Sequence, residues 1–137
     1  MRVLVIDGMG GGIGKAVIEQ LKKGLPQLEI FAFGTNSTAT AAMLKAGASV
    51  GATGENAIIY NCEKAGESDL IIGAIGIVLA NSLCGEITPL MACAVSSSTA
   101  HKLLIPVAKC NTTVLTTGDQ PLATLLSEVV QAVKSRL

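Results

Sequence analysis

Five glycines, Gly8, Gly10, Gly11, Gly12 and Gly14, fall between a short apolar run and a helical pattern. The run, residues 3–6, consists of strand formers with no polar alternation, which is how a strand buried on both faces reads. After the glycines, Ile13, Val17 and Leu21 recur every fourth residue, with Lys15, Glu19 and Lys22 between them, until Gly24 and Pro26 end the pattern. A chain leaving a buried strand must turn sharply here to lay a helix back on the sheet. Missing Cβ atoms permit that turn and let the backbone approach a ligand. The free N–H groups and positive dipole end of the helix then attract an anion. Gly8, Gly10, Gly11, Gly12, Ile13 and Gly14 are therefore predicted to cradle the phosphate of a nucleotide or other phosphorylated small molecule. The competing reading is a glycine loop used only for tight packing. A Walker A loop is excluded, because Met9 stands where its first glycine should be and Ala16 where its magnesium hydroxyl should be.

The rest of the chain repeats the strand-helix alternation. Strands are predicted at 28–33, 48–52, 70–72 and 103–107. Asn36 or Ser37 caps a helix that ends at Gly47, and Thr53 or Gly54 opens another that buries Ile58, Ile59, Cys62 and Ala65. Thr88 and Pro89 read as the cap and first turn of a fourth helix. Asp119 and Pro121 start the last, whose Leu122, Leu125, Leu126, Val129, Val130, Val133 and Leu137 share one face. Only residues 108–111 separate the fifth strand from a sixth at 112–117. A parallel crossover needs a dozen or more residues, so the sixth should return antiparallel at an edge. The expected fold class is α/β: a three-layer αβα Rossmann-like sheet of about five parallel strands plus one antiparallel edge strand, in a single domain.

Composition limits the partners. Ten basic residues balance ten acidic ones, and the only aromatics are Phe31, Phe33 and Tyr60. That leaves neither a phosphate track nor a stacking platform for nucleic acid. The uncharged stretch 70–85 contains Asn81 and Ser82 and is shorter than the roughly 20 apolar residues of a membrane span. With no signal peptide at the start, a soluble cytoplasmic protein is expected. Charged residues make up 15% of the chain, against about a quarter in an ordinary domain, so part of the apolar surface should be covered by self-association, most simply as a homodimer. Cys62, Cys84, Cys93 and Cys110 form no C-x-x-C pair, and His101 is the only imidazole, so no metal site is expected.

The glycine loop, the Gly34-Thr35-Asn36 turn and residues 70–89 together resemble a family of small bacterial proteins known only as a domain of unknown function. More distantly, the first 77 residues resemble the nucleotide-binding half of short-chain dehydrogenases. Gly8, Gly12, Ile13 and Gly14 match that loop, and residues 69–77 are similar to its fourth strand and following turn, which implies ligand contacts from Gly73, Ala74 and Gly76. Dehydrogenases that use NAD place a carboxylate at the end of the second strand. Here that turn holds Thr35, Asn36 and Ser37 and no acid, which tilts the expected cofactor toward NADP, its 2′-phosphate taken by these three residues. A mononucleotide is the nearby alternative. Gly10-Gly11-Gly12, Gly34-Thr35-Asn36 and Gly51-Ala52-Thr53-Gly54 also faintly resemble the first loops of tubulin-like GTPases, which would imply ATP or GTP with magnesium. A third reading is a regulatory or assembly module without chemistry, associating through residues 75–83.

Other reactive residues receive plainer readings. Asp7 could hold magnesium, bond a sugar hydroxyl or brace the loop backbone, and bracing is favoured. Glu86 becomes an acid or base only if its segment folds over the site; otherwise it is solvated. Lys109, Cys110 and Asn111 leave the fifth strand on the ligand side, where a tight turn with a packed thiol is the simpler account. Tyr60 and Lys64 reproduce a Tyr-x-x-x-Lys spacing, but they precede the fourth strand, and Tyr60 points away from the buried helix face. His101 is expected to be structural. Catalytic residues are not assignable from the sequence.

Overall fold

The computed structural model describes residues 1–107, 110–115 and 118–137. Five strands, β1 (Val3–Asp7), β2 (Ile30–Gly34), β3 (Val50–Thr53), β4 (Leu70–Ala74) and β5 (His101–Ile105), alternate with helices α1 (Gly12–Gly24), α2 (Ser37–Lys45), α3 (Glu55–Lys64), α4 (Pro89–Ser97) and α5 (Leu122–Lys134). The sheet runs in the order β3-β2-β1-β4-β5, and every pairing is parallel. This is the three-layer Rossmann-like order, with the topological switch between β1 and β4.

Alternation along β1 divides the core in two. Val3 and Val5 face α1, α2 and α5, meeting Val17, Ile18, Leu21, Met43 and Val129. Leu4 and Ile6 face α3 and α4, meeting Ile58, Cys62, Met91 and Val95. The apolar run 3–6 is wholly buried, as a strand covered on both faces demands, and Asp7 at its end is buried with it. The helix caps follow local chemistry: Asn36 accepts the Ala39 amide at the start of α2, and Thr88 accepts the Met91 amide with Pro89 in the first turn of α4. Ile59, expected in the core, is only half-buried on α3.

The antiparallel edge strand is absent from the described residues. Residues 112–115 have no regular structure, and Thr116 and Thr117 lie outside the described part. Among the described residues that follow β5, Cys110 and Asn111 are left-handed and none pairs with the sheet. Leu115 is 89% exposed, so the β-forming residues there have no sheet face to pack against.

Candidate functional site

The C-terminal ends of β1 and β4 open on a cleft of about 410 Å³ lined by Asp7, Gly8, Met9, Gly10, Gly11, Gly12, Ile13, Ala74, Leu83 and Leu122. The glycine loop forms its floor. The loop reverses through a Gly11 N–H bond to the Gly8 carbonyl at 2.9 Å, with Met9 and Gly11 both in the left-handed region.

The five glycines divide by what a Cβ would meet. At Gly8 it would lie 2.7 Å from Thr35 Oγ1 and 2.9 Å from Leu83 Cδ1; at Gly11, 2.8 Å from the Ala39 Cα; at Gly14, 2.5 Å from Met43 Sδ. These three serve packing. At Gly10 and Gly12 it would meet nothing within 4 Å. Both border the cleft, and among the described residues neither amide has a hydrogen-bond partner.

Two carboxylates hold other amides of the same loop. Asp7, 6% exposed, accepts from Gly8 through Oδ1 at 2.8 Å and from Gly14 through Oδ2 at 2.7 Å. It therefore braces the backbone. Burial pushes its carboxyl above the ordinary aspartate value and the Glu86 charge adds to the rise, opposed by the Gly14, Gly8 and Ile13 amides. Glu86 arrives from the connection between β4 and α4. Its Oε2 accepts from the Met9 amide at 3.0 Å, while Oε1 accepts from Thr35 Oγ1 at 2.8 Å and Asn36 Nδ2 at 2.6 Å. Leaving water raises its carboxyl, but the bonds from Asn36, Thr35 and Met9 outweigh that and hold it below the ordinary glutamate value.

Thr35 and Asn36 are thus spent inside the protein, and Asn36 Nδ2 also donates to the Met9 carbonyl at 2.9 Å. Ser37 opens α2 with an exposed side chain. None of the three lines the cleft. A 2′-phosphate at this turn would meet the Glu86 carboxylate, so the tilt toward NADP loses its physical basis. Gly73 serves packing, its Cβ position 2.7 Å from the Ile6 carbonyl. Ala74 lines the cleft, and Gly76 is buried with its carbonyl accepting from Ser82 Oγ. Gly14 lies behind the loop.

The connection after β4 is folded inward. A single 3-10 turn, Ile75–Val78, leads into tight turns in which Asn81, Leu83, Cys84 and Gly85 all have positive φ. Ile77 and Ile87 are 1% exposed and anchor the segment in the core, whereas Ile75, Val78, Leu79 and Leu83 are half-buried and Ala80 and Asn81 exposed. Leu122, the first residue of α5, brings a second helix N-terminus to the cleft, and α5 has no side-chain cap. Leu83 and Leu122 carried no sequence signal for this role, because each is placed by a connection rather than by a strand end.

The remaining candidates stand elsewhere. Gly51, Thr53 and Gly54 do not line the cleft. Neither do Cys110 and Asn111, which are exposed, and Lys109 lies outside the described residues. Tyr60 is 54% exposed with the Lys64 ammonium 5.4 Å from its ring centre, an external contact on α3. His101 opens β5 at the opposite edge and accepts from Arg136 at 2.8 Å. Among the described residues, no group of three or more His, Cys, Asp or Glu could hold a metal ion, and no helix is long and apolar enough to cross a membrane.

A family model described as a domain of unknown function (DUF3842) matches residues 2–137. The chain belongs to that family. No curated protein matches it, short-chain dehydrogenases and tubulin-like GTPases included. Among solved structures, the dodecameric FMN-dependent UbiX-like decarboxylase from Escherichia coli O157:H7 is similar over 99% of this chain and 76% of that one, at 16% identity and a TM-score of 0.47.

Proposed function

We propose that this DUF3842 protein binds a phosphorylated small molecule of the nucleotide class in the cleft above β1 and β4, with the phosphate on the Gly10 and Gly12 amides. The observation that carries this reading is the pair of open glycines: their amides have no described partner and no Cβ intrudes on the space before them. Two helix N-termini, of α1 and α5, border that space and offset the charges of Asp7 and Glu86 on an incoming anion. A cleft of about 410 Å³ lies toward the small end of the ~300–1,000 Å³ range of ligand pockets, which favours a mononucleotide over a dinucleotide such as NADP. Magnesium has no ready-made cage here, so ATP or GTP would have to bring its cation.

Thermal shift with inorganic phosphate, AMP, FMN, NADH, NADPH and, with and without magnesium, ATP and GTP tests the proposal. A ligand at 100 times its dissociation constant adds about 2.7 kcal/mol to the folded state. Gly12→Val fits sterically in the unliganded protein but fills the phosphate position, so it should keep the unliganded melting temperature and lose the shift. Absence of any shift, or a shift unchanged in Gly12→Val, overturns the reading.

One observation favours a second reading. Glu86 already satisfies Met9, Thr35 and Asn36, as expected of a module that closes its own loop and takes no ligand. That reading predicts no shift with any compound. For assembly we propose a homodimer, from the low charge density alone; sedimentation equilibrium measures it.

A further inference from the structure

One edge of the sheet is left open in a way that restricts what can close it. β5 is the last strand, paired on one side only, and its His101 amide donates to the Asp69 carbonyl at 3.0 Å. In a parallel ladder both backbone groups of alternate residues face the same neighbour, so His101, Leu103 and Ile105 bond to β4. The N–H and C=O groups of Lys102 and Leu104 therefore point outward. Among the described residues, none of these four groups has a partner. Beside them runs a groove of about 180 Å³ between β5 and α5, with Leu103, Leu125, Val129 and Ala132 in its apolar walls. Residues 110–115 do not line it. An edge lysine ordinarily guards such a strand against pairing. Here the Lys102 ammonium is turned back onto the Ser98 carbonyl of its own chain, so the edge stays uncovered.

We propose that two copies of this chain join at the β5 edge, antiparallel about a twofold axis at Leu103, into one continuous ten-stranded sheet. The proposal rests on the homodimer proposed above and gives it a surface. Backbone chemistry selects the register. With Lys102 opposite Leu104 of the other copy, and the reverse by symmetry, four main-chain hydrogen bonds satisfy every outward group. Moving the axis to Lys102 would set two ammonium side chains directly opposite each other. Moving it to Leu104 would set Pro106, which has no N–H, against Lys102. At the Leu103 axis the two leucines meet as a non-hydrogen-bonded pair, the closest cross-strand contact, over the groove. The same symmetry turns the His101 and Arg136 end of each copy toward the end of the other that carries Glu128, bringing opposite charges together.

The other edge lacks these features. At β3 the Ser49 amide donates to the Ile30 carbonyl, so Val50 and Ala52 point outward and the axis would fall on Gly51, which has no side chain to pack. The area at β5 is also sufficient. Sheet and flanking helix layers present an edge roughly 20 Å long and 30 Å deep, about 600 Å² per copy. Two such faces bury about 1,200 Å², the lower end for a specific complex, which suits a reversible dimer rather than an obligate one.

Sedimentation equilibrium of the full chain and oxidative cross-linking test it. Wild type should dimerise reversibly with concentration. Leu104→Pro removes an outward N–H and spares the ladder to β4, so it should fold and dimerise at least about tenfold more weakly, having lost two of the four bonds. For the register, the exposed Cys84, Cys93 and Cys110 are replaced by serine and a new thiol is introduced by Leu103→Cys or His101→Cys. Symmetry-related Cα atoms at position 103 would lie about 4.5 Å apart, within disulfide reach, whereas those at 101 would be at least about 13 Å apart. Leu103→Cys should therefore give a disulfide-linked dimer and His101→Cys should not. Equal cross-linking of the two, or an unchanged dimer in folded Leu104→Pro, overturns the β5 interface while leaving a homodimer standing. If Leu104→Pro does not fold, the cross-linking comparison decides alone. A wild type that stays monomeric throughout removes homodimer and interface together and leaves the edge to a strand from another protein.

Discussion

Asp7 and Glu86 hold neighbouring amides of one loop: Asp7 Oδ1 accepts from Gly8 at 2.8 Å and Glu86 Oε2 from Met9 at 3.0 Å. The two carboxylates respond to this placement in opposite directions. Asp7 is raised because it is buried and lies near a second negative charge, whereas Glu86 is lowered because three donors converge on it.

The raised Asp7 gives stability a pH dependence with a definite sign. Its contribution is fully present below the ordinary aspartate value of 3.8 and is lost as pH rises through the higher folded value. Asp69 behaves oppositely. Burial raises it, but the Arg2 and Gly66 amides and the Arg2 guanidinium, 2.9 Å away, hold it low, so its contribution is present above 3.8 and lost as pH falls through the lower folded value. In urea unfolding, the stability of Asp7→Asn minus that of wild type should increase as pH rises above about 4. The same difference for Asp69→Asn should grow more negative from acid up to about pH 4 and then level off. Slopes of the reverse sign would contradict the two environments.

Alanine scanning should separate packing glycines from open ones. Gly11 has φ of 74° and its Cβ position lies against the Ala39 backbone, so Gly11→Ala should cost about 1–3 kcal/mol. Gly10→Ala and Gly12→Ala meet open space and should stay within about 0.5 kcal/mol of wild type. Equal losses at all three positions in chemical denaturation would show that the loop is held by contacts other than these.

The fold was readable where local pattern and global packing agree. Val3, Val5, Leu4 and Ile6 form a run that only a doubly covered central strand satisfies, and β1 is that strand. Asn36, Thr88 and Pro89 act locally, so their caps were readable too. The residues before Leu115 failed because strand propensity there has no face to bury. At the site, strand ends identified the glycine loop, but not what lies on it. Glu86 and Thr35 are 51 residues apart, and their bond depends on left-handed turns at Leu83 and Cys84, which no periodicity announces.

The four cysteines should react as three plus one. Cys84, Cys93 and Cys110 are exposed, whereas Cys62 is 1% exposed on α3 and burial pushes its thiol up to about 11, with Glu63 adding and Lys102 opposing. Native protein treated with iodoacetamide at pH 8 should acquire three adducts by mass spectrometry and a fourth only on unfolding. Rapid modification of Cys62 in the native protein would mean that α3 opens readily from the sheet.

The segment that carries Glu86 should be relieved by glycine at one position only. Leu83, Cys84 and Gly85 follow one another at φ of 54°, 55° and 87°, and the turn closes with the Glu86 amide donating to the Leu83 carbonyl at 3.1 Å. A side chain in that region costs about 1–2 kcal/mol, against roughly 0.5–1 kcal/mol for the extra unfolded freedom of glycine. Cys84 is exposed and has no packing to lose, so Cys84→Gly should stabilise the protein by up to about 1 kcal/mol in urea unfolding. Leu83→Gly relieves the same backbone but removes a side chain that packs on Gly8 and lines the cleft, so its gain should be cancelled or reversed. Destabilisation by Cys84→Gly would show that the left-handed turn is not under strain, and that the connection holds Glu86 on the loop without opposing backbone cost.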